Sequence, residues 1–184
     1  MKTPARRRVG LLLASLCLPL FAQAAETQPT HEFSLDNGLK VIVREDHRAP
    51  VVVSQLWYRI GSSYETPGLT GLSHALEHMM FKGSRKLGPG EASRVLRDLG
   101  AEENAFTTDD YTAYYQVLAR DRLPVALEME ADRMAHLSLP ADQFKSEIEV
   151  IKEERRLRTD DNPNALAFER FKAAAYPASG YHTP

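Results

Sequence analysis

The residues best suited to chemistry stand in one short segment, Gly71-Leu72-Ser73-His74-Ala75-Leu76-Glu77-His78. His74 and His78 are four apart, so on a helix both imidazoles leave the same face one turn from each other and can converge on one metal ion. Glu77 borders that face, where a carboxylate sits beside the metal without ligating it and takes a proton from a bound water. Zinc lowers the pKa of such water towards about 7, and the carboxylate then helps deliver hydroxide to a carbonyl carbon. Two histidines do not hold a catalytic zinc. A third protein ligand is needed, with the fourth position left to water.

The histidines need a helix to present them, and the sequence predicts one over residues 70–81. Leu72, Ala75, Leu76, Met79 and Met80 recur there at helical period, and Gly83 is a natural stop. A second helix is expected from Pro140 to about Arg158, broken by Asn162-Pro163. On it Glu147, Val150, Ile151 and Glu154 fall at i, i+3, i+4 and i+7, so two carboxylates flank an apolar stripe and face one way. A carboxylate on an inward stripe is costly unless it is paired or bound to metal. Glu154 or Glu147 is therefore the better third ligand on physical grounds. The competing fate is pairing with Arg155, Arg156 or Arg158 on a solvated surface, the common outcome for a stretch rich in both charges.

The remaining elements frame these two helices. Residues 31–45 alternate apolar and polar around Asp36-Asn37-Gly38, which predicts a hairpin. Residues 51–60, 103–106 and 111–118 read as strands, with 61–71 a loop and 89–99 a helix ending at Gly100. Residues 121–137 place Leu123, Leu127, Ala131, Met134 and Leu137 on one helical stripe, and a last helix is expected over 164–175. Strands and helices do not alternate strictly, which predicts an α+β fold with a mostly antiparallel sheet packed by helices.

Composition limits what the site can be. With 184 residues, 43% of them hydrophobic and 26% charged, the chain has the make-up of one globular domain and excludes a disordered tail or a polytopic membrane protein. Lys2, Arg6, Arg7 and Arg8 lead into an apolar run over 9–21 and then into Ala22-Gln23-Ala24, the three-part layout of a secretory signal peptide over 1–24. The expected mature protein starts with a flexible leader at 25–30, carries its domain over 31–184 and keeps no membrane segment. It is expected to be secreted into a bacterial periplasm. Taking those four cations from 23 leaves 19 against 25 acids, a balance near −6 that argues against a nucleic-acid surface. Cys17, the only cysteine, falls inside the segment to be removed. A cysteine nucleophile, a disulfide and a cysteine ligand are thereby excluded from the mature chain.

The motifs in chain order resemble a known family. The segment GLSHALEHMMFKGS is similar to the metal-binding helix of the pitrilysin, insulinase and mitochondrial-processing-peptidase family, the inverzincins, whose H-x-x-E-H reverses the familiar order. The resemblance extends to AEENAFTTDDYTAYY, LEMEADRM and SEIEVIKEERRLRTDDNP, and so spans most of residues 31–184. It implies a processing-peptidase-like fold and one zinc ion per chain held by His74, His78 and Glu154, with Glu77 as general base and Glu147 as an assisting acid. It also implies that Asn104 and Ala105 lie on an edge strand whose backbone pairs with an extended peptide or protein substrate.

The family usually adds a second homologous domain or subunit, and its first domain normally closes beyond the point where this sequence stops. An incomplete first domain is therefore expected. One departure stands at residues 176–184, where Ser179 and Gly180 replace the usual His-Pro of H-P-Y-x-x-P. The alternative to a zinc endopeptidase is a non-catalytic peptide-binding or assembly subunit, or an inactive fragment, of the same fold; such relatives usually lack the zinc residues.

Overall fold

The computed structural model describes residues 29–182, and the chain divides between His47 and Arg48 into two compact units. The expected signal peptide lies outside the described residues. In the first unit β1 (Thr30–Ser34) pairs antiparallel with β2 (Lys40–Arg44) around the turn read from the sequence. Thr30, the last residue of the leader expected over 25–30, pairs with Arg44 in this hairpin, and residues 25–28 lie outside the described residues.

The second unit is built on three antiparallel strands. β3 (Val51–Tyr58) and β4 (Glu102–Thr107) flank the central β5 (Thr112–Ala119), giving the order β3-β5-β4. β5 is the most buried strand, with Ala113, Tyr114, Gln116 and Leu118 shielded from solvent. Among the described residues β4 is an edge, paired on one side only, with Ala105 opposite Tyr114 and Thr107 opposite Thr112. Among the described residues five α-helices pack with these strands: α1 (Leu72–Met79), α2 (Glu91–Asp98), α3 (Leu123–His136), α4 (Ala141–Arg155) and α5 (Pro163–Ala175). Antiparallel strands packed by helices make this the expected α+β fold.

One helix buries a face other than that expected, and another departs from its expected line at a single residue. On α3 the inward side carries Ala126, Glu130 and Arg133, whereas Leu127 and Met134 of the expected stripe stand about half exposed. A polar network replaces apolar packing there. Gln116 of β5 donates to Glu130, Arg133 pairs with the same carboxylate, and the Arg133 guanidinium lies 5.2 Å from the Phe81 ring centre and 5.0 Å from that of Tyr114. A buried charge is tolerated when paired and hydrogen-bonded in this way. On α4 the inward line runs through Glu147, Ile151 and Glu154, while Val150 is exposed.

Contacts at two glycines tie the loops to the end of the sheet. A methyl group at Gly61 would stand 2.2 Å from the Thr108 carbonyl oxygen, and one at Gly180 would stand 2.0 Å from that of Ser63. Any larger residue at Gly180 meets backbone, which gives the departure at residues 179–180 a packing reason. Around the same turn Lys172 of α5 donates to Asp109 at 2.6 Å and Tyr181 donates to Asp110 at 2.7 Å.

Candidate active site

The site forms where α1 packs against α4 and β4. Gly71, the N-cap of α1, offers no side chain to cap the first turn. Glu65, from the preceding loop, supplies the cap: its two carboxylate oxygens accept from Gly71 N–H and Ser73 N–H, each at 2.6 Å. A carboxylate placed there satisfies orphan donors and complements the helix dipole. Ala75 and Met79 anchor the buried side of the helix, leaving His74, Glu77 and His78 to meet α4 and β4.

Both imidazoles converge as the spacing requires. His74 Nε2 lies 3.0 Å from His78 Nε2, with ring centres 4.6 Å apart. From α4, Glu154 Oε2 lies 3.4 Å from His74 Nε2 and 3.6 Å from His78 Nε2. Three donors bound tetrahedrally to zinc at their usual bond lengths stand about 3.3 Å from one another. The triangle here has sides of 3.0, 3.4 and 3.6 Å, so it fits one such ion. Glu154 Oε2 is moreover buried with no hydrogen-bond partner among the described residues. A buried, unsatisfied acceptor aimed at two imidazole nitrogens is what a cation would satisfy. Glu77 also brings a carboxylate oxygen within 4.8 Å of the histidine ligand atoms.

The surrounding groups favour the metal-binding form of the rings. Glu147 Oε1 lies 2.9 Å from His78 Nδ1, and its other oxygen pairs with Lys82. An ionised carboxylate only accepts, so His78 Nδ1 carries the proton and Nε2 of the neutral ring keeps its lone pair for the centre. Burial alone would raise the Glu147 pKa, but the Lys82 and His78 hydrogen bonds outweigh it and hold the carboxyl below its ordinary value. The His74 pKa is lowered, chiefly by burial and then by His78, which favours the neutral ring. Of the three arginines that compete for the α4 carboxylates, Arg155 turns to Glu169 and Arg156 to Glu153. Only Arg158 reaches the centre, at 3.4 Å from Glu154 Oε1, from a π-helical turn over Arg156–Asp160.

β4 meets the site through Thr107, whose hydroxyl donates a short hydrogen bond to Glu77 Oε2. Asn104 is exposed on the same strand, and its Oδ1 accepts from Ala105 N–H at 2.8 Å. No hydrogen bond among the described residues joins Asn104 or Ala105 to His74, Glu77 or His78. Beside them a cleft of about 590 Å³ is lined by Phe81, Ser93, Arg97 and residues 101–104.

Glu65, Lys82 and Thr107 were not legible as site residues. Lys82 lies four positions after His78 and Glu65 just ahead of a helix whose first residue lacks a capping side chain, so each left a faint local signal. Thr107 left none beyond its place at the end of a strand.

Comparison with known proteins places this arrangement. Residues 40–183 match the family model described as Insulinase (Peptidase family M16). The chain is 36% identical to Zinc protease PqqE of Helicobacter pylori, over 96% of this chain and 40% of that protein. It is 30% identical to Uncharacterized zinc protease YmxG of Bacillus subtilis, over 78% and 35% respectively. It is also 34% identical to human Cytochrome b-c1 complex subunit 1, mitochondrial, over 96% and 35%. The crystal structure of a protease from Helicobacter pylori superposes with a TM-score of 0.81 at 34% identity, covering 85% of this chain and 38% of that one. The chain thus spans about 40% or less of the length of these relatives. With the fold, the ordered motifs and the family match in agreement, the chain belongs to the insulinase family, peptidase family M16.

Proposed function

We propose that this chain is the metal-bearing part of a zinc-dependent endopeptidase that hydrolyses peptide bonds. The observation that carries the reading is the unsatisfied Glu154 Oε2 facing the His74–His78 pair, with Glu77 alongside. His74, His78 and Glu154 would hold one zinc ion per chain, which would supply Lewis acidity toward a substrate carbonyl and a water. Glu77 takes the proton of that water as general base and passes it to the leaving amine. Glu147 touches no reacting atom; it orients His78 through Nδ1 and balances Lys82.

The substrate is a peptide or protein segment that adds as a strand to the open edge of β4. Main-chain pairing of this kind requires exposed backbone donors, and Asn104 now occupies the N–H of Ala105. An incoming strand displaces that contact, which gives Asn104 a role in guarding and then releasing the edge. Residues 1–24 direct export, and a bacterial periplasm is the proposed location. The greater length of the relatives supports a second homologous domain or partner subunit.

A second reading, a non-catalytic assembly subunit, is favoured by the 34% identity to a cytochrome b-c1 subunit, whose name carries no protease activity. The complete set of His74, Glu77, His78 and Glu154 weighs against it. Glu77→Gln separates the two. Under the peptidase reading the variant keeps its zinc and loses hydrolysis by about a hundredfold or more. Unaltered turnover would sink the assignment of Glu77.

A further inference from the structure

We infer that Thr107 is the positioning residue of the general base, a proposal that rests on the peptidase reading above. Thr112 Oγ1 lies 3.0 Å from the Ile60 carbonyl oxygen, an acceptor only, so the Thr112 proton is spent there. At the 3.3 Å contact between Thr107 Oγ1 and Thr112 Oγ1, Thr112 is then left as an acceptor. Thr107 has a single proton, and its shorter contact is to Glu77 Oε2. Both protons are thereby committed, that of Thr112 to the Ile60 carbonyl and that of Thr107 to Glu77, and the 3.3 Å contact between the two hydroxyls carries neither.

The consequence falls on the geometry of the base. With Oε2 held by Thr107, Glu77 keeps Oε1 for the attacking water, and its rotamer is tied to the sheet as well as to α1. The tie is stiff. Thr107 pairs with Thr112 at the end of the β4–β5 ladder, and Thr112, 4% exposed, is itself fixed to the end of β3. A base held on two elements stays in place when a substrate strand adds to the edge of β4. Hydrogen bonds from neutral donors to charged groups are also among the stronger ones in proteins.

The test compares Thr107→Val, which keeps shape and loses the hydroxyl, with Thr107→Ser, which keeps the hydroxyl. The probe is a tripeptide hydroxamate titrated calorimetrically into the zinc-loaded full chain, since a hydroxamate places its proton on the general base as it binds. Metal content is measured in parallel. The expected result is unchanged zinc in all variants, hydroxamate affinity lowered about 10- to 100-fold in Thr107→Val, and near-complete recovery in Thr107→Ser. In a Glu77→Gln background, Thr107→Val is expected to add little further loss. Wild-type affinity in Thr107→Val, or equal losses in both variants at full zinc content, would overturn the role of Thr107 while leaving the zinc site intact. A wild-type chain that binds neither zinc nor hydroxamate would instead overturn the peptidase reading, and this proposal with it.

Discussion

Glu154 Oε2 stands 3.4 Å from His74 Nε2, and among the described residues it accepts no hydrogen bond. The two side chains come from helices far apart in sequence, yet the carboxylate oxygen is aimed at imidazole nitrogen and at nothing else. In a metal-free chain that arrangement costs stability; with a divalent cation it becomes a ligand set.

Glu154→Gln should therefore act in opposite directions on the two forms. Replacing the unsatisfied Oε2 by an amide that can donate to an imidazole nitrogen is expected to stabilise the metal-free chain by about 1 kcal/mol, read as a higher midpoint in chemical unfolding. The same change is expected to lower zinc affinity by more than the roughly 10- to 100-fold typical of an outer partner. Chelator competition measures the second effect. Unchanged affinity would remove Glu154 from the ligand set.

Glu147 acts one step further out, through His78. Glu147→Gln is expected to weaken zinc binding by about 10- to 100-fold, because the neutral amide no longer holds the His78 Nδ1 proton as firmly. Lys82→Met leaves the Glu147–His78 contact in place and is expected to cost less. If the two variants bind zinc equally well, the orienting role of Glu147 fails.

Acid stability should report the clamp between α4 and α5. Glu169 accepts from both terminal nitrogens of Arg155, at 2.8 and 3.0 Å. The Arg155 hydrogen bond holds its carboxyl below the ordinary value of 4.5, against the opposing effect of burial. A carboxyl with a lowered folded-state pKa contributes stability above its unfolded value and loses that contribution as pH falls through the folded one. Glu169→Gln is thus expected to cost about 0.5–1 kcal/mol at pH 7, with the difference from wild type closing below about pH 4.5. A difference that stays constant down to pH 3 would show that the ion pair contributes nothing.

The legible parts of the molecule were those with a period. His74 and His78 could be read as one face because the helical repeat brings residues four apart together, while the inward line on α4 left Glu147 and Glu154 both open and the family resemblance chose Glu154. The expected stripe on α3 misled, since its buried face carries Glu130 and Arg133, a charged pair that apolar periodicity does not register. Thr107 and Glu65 were hidden for a different reason. Thr107 reaches α1 from β4, and Glu65 folds back from the loop ahead of the helix, and only tertiary packing decides which hydroxyl or carboxylate meets a given helix. Lys82 announces itself only after the Glu147 carboxylate is known to be buried.

Zinc K-edge X-ray absorption on the full chain tests the centre most directly. The expected spectrum is that of one zinc per chain with two imidazole nitrogens and oxygen donors at about 2.0–2.2 Å, losing one imidazole in His74→Ala. An ion surrounded by water alone, or a spectrum indifferent to His74→Ala and Glu154→Gln, would contradict the assignment of His74, His78 and Glu154 as the zinc ligands.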